Sequence, residues 1–233
     1  MRKFLPIVLL GTVAASGASA NSLEFDTNDP LYMPRAEEVL SESTATFGRD
    51  ILRVGEKLSY GLKDRLTLSV DTHYQIDFSG DNDGFTSTAL GGVYRAGASD
   101  TLVSDVLFGF KFGGSRHVRT PWFADSTYYA GWRFGRQWAG VTLSATIQSN
   151  WIFDDIMGMS YIDFMPQAYF RFDADWRLGI DAIIRKATTP SYNEEWFSMK
   201  LVRQFGRTQY MGHIDYEFER EDVHIGAKVN ILF

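Results

Sequence analysis

The sequence predicts an all-β fold, a closed antiparallel transmembrane β-barrel of about twelve strands. Three observations predict it. Apolar and polar residues alternate with a period of two through many long segments. Tight turns and longer links alternate between those segments. Aromatic residues gather at both ends of them.

The elements follow in order. Met1-Arg2-Lys3 is a charged head, Phe4 to Val13 is mostly apolar, and "AASGASA" ends in Ala18-Ser19-Ala20. This is the order of a secretory signal peptide, and its apolar run is too short to span a bilayer. We expect 1–20 to be removed and the mature chain to start at Asn21. Removal takes two of 23 basic residues, so the mature formal charge is 21 − 29 = −8. That argues against a nucleic-acid partner. The chain has 0 cysteines, which excludes a disulfide framework and a CxxC site. No mature stretch is apolar for long enough to make a membrane helix, yet 15% of the chain is aromatic. Strands that cross a bilayer give just this weak hydropathy signal, because half of each faces water.

Residues 21–38 lack the alternation and are expected to form a periplasmic N-terminal segment. Within it "PRAEEVL" has the form of a single helical turn opening at Pro34. The barrel is expected over 39–233. In "RLTLSVDTHYQIDF", Leu66, Leu68, Val70, Thr72, Tyr74, Ile76 and Phe78 share one face, and Thr67, Ser69, Asp71, His73, Gln75 and Asp77 the other. This is close to the length a tilted strand needs to cross a membrane. "AGVTLSATIQSNWIF", "WRLGIDAII" and "TQYMGHIDYEF" repeat the pattern. Three residues disturb it. Strict alternation turns Arg203 toward lipid near a turn, from which it can snorkel to the headgroups. Strict alternation turns Glu56 toward lipid at mid-strand, which suggests a bulge or shifted register in the first hairpin. Pro166 suggests a second bulge.

Tight turns near 61–64, 97–100, 136–137, 173–175 and 206–208 alternate with mostly longer links such as "GGSRHVRTPWFADS" and "DDIMGMS". With the C-terminus in the periplasm, every tight turn falls there and the longer links fall outside. An even strand count also returns the N-terminus to the periplasm. A soluble barrel with the apolar face inward is excluded by volume: the apolar faces carry more large side chains than a small barrel can enclose.

The chain ends "VHIGAKVNILF". Val223, Ile225, Ala227, Val229, Ile231 and Phe233 fall on one parity, and His224, Gly226, Lys228, Asn230 and Leu232 on the other. This ending resembles the C-terminal signature of bacterial outer-membrane β-barrel proteins, a terminal Phe with apolar residues at alternate positions before it. Phe233, Ile231 and Val229 carry the match, although an aromatic is common where Ile231 stands. "YGLKDRLTL" resembles strand–turn–strand units of the same class. The resemblance implies the cell outer membrane as location. It implies lipid and lipopolysaccharide as surroundings, and the barrel-assembly machinery and periplasmic chaperones as partners. It implies no cofactor and names no subfamily or oligomeric state.

Twelve strands at about 4.7 Å spacing and a tilt near 40° make a cylinder roughly 24 Å across, half filled by side chains. The lumen face carries Arg53, Lys57, Arg95, Lys111, Arg133, Arg171, Arg177, Arg185, Lys200 and Lys228, against Asp71, Asp77, Asp105, Asp163, Asp181, Asp215 and Glu217. Arg95, Arg133, Arg171 and Arg177 lie near tight turns with no acid equally near, so they are expected to form a basic ring favouring anions. Ion pairs that stiffen the wall are the alternative. His213 with Asp215 and Glu217, and His73 with Asp71 and Asp77, form polar clusters of the kind found in outer-membrane proteases and lipid A-modifying hydrolases. One strand alone cannot build the hydrogen-bonded pair such chemistry needs, and no GxSxG nucleophile motif is present. "DNDG" opens like a calcium loop without its distant Glu and reads as a turn. "SRHVRT" offers Arg116, His117 and Arg119 to lipopolysaccharide phosphates or simply to water. The function expected is a small porin-like channel for polar solutes, not an enzyme. A barrel-borne hydrolase and a closed structural barrel, blocked by Tyr129, Tyr161, Tyr169 or Trp196, are the rivals.

Overall fold

The computed structural model describes residues 26–80, 83–99, 102–113, 126–138, 140–153, 160–188 and 193–233. The strands are β1 (Val39–Phe47), β2 (Ile51–Lys63), β3 (Leu66–Asp77), β4 (Gly84–Ala98), β5 (Leu102–Gly113) and β6 (Ser126–Gln137). They continue with β7 (Val141–Phe153), β8 (Ser160–Arg171), β9 (Trp176–Ala187), β10 (Glu194–Phe205), β11 (Thr208–Glu217) and β12 (Asp222–Leu232). Each pairs with its sequence neighbour, and β1 pairs antiparallel with β12, so the barrel closes. Closure leaves no strand edge, which a bilayer would not tolerate.

The alternation sorts the side chains as the sequence requires. Trp132, Ile147 and Ile225 are 51%, 47% and 58% exposed on the outside, whereas Asp105, Thr142 and Asn230 are fully buried within. An apolar exterior around a polar interior is the arrangement of a barrel in lipid. The strand ends joined by 64–65, 99–101, 138–140, 172–175 and 206–207 lie at one end, the short-turn end, and those joined by the generally longer links lie at the other. The terminal residues complete the seam: Ile231 pairs with Ser41, Val229 with Ser43, and the Phe233 amide donates to the Val39 carbonyl at 2.9 Å.

Three expectations need correction. The β1–β2 register is continuous, so Glu56 does face outward, opposite Ser43 and Thr72. The Ser41 and Ser43 hydroxyls donate to its carboxylate, which lets the chain keep it there without a bulge. Pro166 interrupts pairing with β9 but leaves the register unshifted on both sides. The irregularities fall instead at Gly61–Lys63, His73–Tyr74 and Arg95–Gly97. The "PRAEEVL" stretch makes a turn at Ala36 and Glu37, with Glu37 at φ 71°, in place of a helical turn. The signal-peptide segment, "SRHVRT" and Asp81 and Asn82 of "DNDG" lie outside the described residues.

Candidate functional site: the lumen and its N-terminal plug

Residues 26–33 enter the barrel at the short-turn end and cross its mouth. Asp26, Thr27, Asp29, Leu31 and Met33 are all buried there. The segment is held on every side. Asp26 accepts from Tyr169 Oη at 2.7 Å, Arg171 Nε at 3.1 Å, Arg177 Nε at 3.1 Å and Gln209 Nε2 at 3.0 Å. Asp29 accepts from Thr142 Oγ1 at 2.5 Å and pairs with Arg171. Burial pushes the Asp29 carboxyl above its ordinary range, although Thr142 and Arg171 pull it back. Thr27 donates to Gln209 Oε1 at 2.8 Å and accepts from Asn230 Nδ2 at 3.1 Å. Arg95 donates to the Leu31 carbonyl at 2.6 Å. Two lumen-facing glycines seat the segment. A Cβ on Gly61 would overlap the Arg35 carbonyl, and one on Gly135 would press on the Leu31 methyls.

The four arginines therefore do not form an open basic ring. Arg171 and Arg177 are neutralised by acids that the N-terminal segment brings in. Arg95 and Arg133 share the fully buried Asp105, with Nε–carboxylate distances of 2.9 and 3.0 Å. Four guanidinium groups in a narrow mouth demand counter-charge, and strand parity alone could not show that it comes from 26–33.

Deeper in the lumen Glu42 lies between Lys57, at 3.1 Å, and Lys228. Lys200 pairs with Asp181 at 2.7 Å. Glu42 and Asp105 thus each pair with two bases, so base exceeds acid within these ion pairs beside the plug. Toward the long-loop end the balance reverses. Arg185 meets both Asp163 and Glu194, and Asp215 lies 3.4 Å from His213. Asp71 stands opposite Lys57 in the β2–β3 register and 3.0 Å from His73.

Two polar cavities flank the plug. One of about 280 Å³ is lined by Glu42, Lys57, Arg133, Lys200 and Lys228, together with plug residues. The other, about 540 Å³, opens on the turn side among Arg35, Asp64, Arg95, Gln137 and Arg171.

Solved structures that superpose on this barrel include outer-membrane porins and a channel. A NanC porin superposes with TM-score 0.66 at 9% identity, covering 83% of this chain and 98% of its own. A KdgM porin gives 0.62 at 10%, covering 82% and 98%. An outer membrane channel from Pseudomonas putida F1 gives 0.60 at 11%, covering 89% and 99%. The fold is that of a porin-type outer-membrane barrel. No family model and no curated protein matches the sequence.

Within this porin-type barrel the aromatic residues expected to block the lumen have partners beside them. Tyr129 lies flat over Gly91 and Gly109, where a side chain would collide with its ring. Tyr161 lies under Arg185 at 4.1 Å, and Trp196 sits 5.2 Å from the His224 ring. Tyr169 is the exception, because it holds the plug. Among the described residues His213 is not set between a nucleophile and an acid. Thr46 Oγ1 at 3.2 Å and Asp215 at 3.4 Å meet the same nitrogen, Nε2, of His213, while its Nδ1 has no partner. A relay needs the nucleophile and the orienting acid on opposite nitrogens of the histidine base. Glu217 pairs with Arg220 at 3.1 Å, away from His213. Sequence reasoning missed Glu42, Asp26 and Asp29. The parity of β1 points Glu42 inward and could have found it; no local pattern marks the two aspartates.

Proposed function

We propose that the protein is an outer-membrane channel of the porin type that passes small polar solutes and favours anions at its constriction. The observation that carries this reading is the pair of polar cavities inside an apolar-coated closed barrel, separated only by a short segment of the chain itself. Beside that segment Lys57 and Lys228 outnumber Glu42, and Arg95 and Arg133 outnumber Asp105. The narrowest part of a path sets ion preference, since field lines concentrate where water is scarce. A KdgM porin has been solved in complex with disordered oligogalacturonate, an acidic ligand. Surplus base beside the plug supports acidic solutes here too. The tight turns are assigned to the periplasm, and the signal segment to export and removal.

The test is planar-bilayer conductance of refolded 21–233 in a KCl gradient. Discrete steps with a reversal potential on the chloride side are expected. Absence of steps, with and without the plug, overturns the channel. Cation preference overturns the role of the surplus bases and leaves the channel standing.

A further inference from the structure

The outer face of β1–β4 departs from the rest of the belt. Ser43, Glu56, Thr72 and Thr88 pair in one continuous cross-strand row. Their neighbours Leu58, Val70 and Leu90 are exposed on the same side, so the row faces lipid. Glu56 lies mid-strand, four residues from the interfacial Tyr60. Its carboxylate accepts from Ser41 at 2.7 Å and from Ser43, and no base pairs with it among the described residues. Thr72 and Thr88 join hydroxyl to hydroxyl at 3.1 Å. Around the row the surface recedes into a depression of about 330 Å³ floored by small residues such as Ala45, Gly55 and Ala227. Elsewhere at mid-barrel the belt presents bulk, with Phe108, Trp132, Ile147 and Phe164 exposed.

A carboxylate facing acyl chains is unfavourable, and polar groups at that depth are normally covered by protein. Small residues that let backbones approach mark contacts between proteins in a membrane. The row is also self-complementary. It holds one group short of donors, the Glu56 carboxylate. One strand away it holds a hydroxyl pair that keeps a spare proton after its mutual bond. A two-fold axis along the membrane normal, between β2 and β3, sets the Glu56 of each copy against the Thr72–Thr88 pair of the other. That is the reciprocity of an isologous contact.

We propose that the β1–β4 face is a dimer interface with a second copy of this chain, closed by reciprocal hydrogen bonds from Thr72 and Thr88 to Glu56. The inference does not depend on what the lumen passes.

The absence of cysteine makes the test clean. Single-cysteine Val54→Cys and Ile147→Cys chains, labelling opposite faces, are reconstituted in phospholipid vesicles and treated with a short bis-maleimide. Val54→Cys should give a band of two chains and Ile147→Cys should not. Adding Glu56→Leu to Val54→Cys should lower that yield about tenfold. Heat-modifiable migration should be retained, showing that the barrel still folds. No band from Val54→Cys, equal bands from both faces, or a yield indifferent to Glu56→Leu overturns the proposal. So does a cross-link, in native membranes, from Val54→Cys to a different protein in place of a second copy.

Discussion

Asp105 shows how much one lumen carboxylate decides. It is fully buried and takes bonds from Arg95 and Arg133, themselves 19% and 14% exposed. Asp105→Asn leaves two guanidinium groups competing for one neutral oxygen. The barrel is expected to lose about 2–3 kcal/mol, read as a lower urea midpoint in detergent. Anion preference should rise at the same time, because two positive charges are freed at the constriction. Loss of stability without a change in reversal potential would separate the wall-stiffening role from any role in selectivity. The arginines were legible as inward-facing residues because parity in a long strand is unambiguous. Their pairing was only half legible. Asp105 lies on a neighbouring strand, whereas Asp26 and Asp29 come from a segment with no period to read.

The plug is the element on which conductance should turn. Its hydrogen bonds and ion pairs sit against polar cavities, so it is expected to leave the barrel wall intact when removed. Deleting 26–33 should raise single-channel conductance several-fold while heat-modifiable migration persists. Gly61→Val is a milder route, because its side chain needs the space of the Arg35 carbonyl; a partial rise is expected. Acid should act through Asp29. Docked, its carboxyl titrates above the ordinary value, so the docked form holds the proton to higher pH than the free segment. The favourable contribution of this group to docking is full below about pH 3.9 and is lost as pH rises through the raised value. Arg171, Thr142, Asp26 and the Leu31 amide face it. Wild-type conductance should therefore fall on acidification, and Asp29→Asn should flatten that fall. A wild-type rise on acidification would show that loss of the Arg171 pairs dominates.

For the whole molecule, the strand number, the closure and the alternation of short and longer links were written in the residues. A period of two sustained over ten or more positions has few competing structures. The place of 26–38 was not, because a segment that borrows its order from a finished barrel carries no pattern of its own. Glu56 shows the opposite case. Its outward position was legible, and what was misread was the cause, since two serine hydroxyls on β1 remove the need for a bulge.

The plug also straddles the seam. Thr27 bonds to Gln209 on β11 and Asn230 on β12, across 182 and 203 residues of chain, and a few residues later the same segment becomes β1. It works as a clasp across the joint between the first and last strands. Contacts so distant in sequence need a rounded barrel, so they are expected to be missing from the rate-limiting step of folding. Removing them should leave the folding rate unchanged and quicken unfolding. Thr27→Ala and Asp26→Asn, followed by tryptophan fluorescence in stopped-flow urea jumps with detergent micelles, should shift only the unfolding arm. The clasp then sets how long a barrel lasts once built, and has no part in how fast one is made.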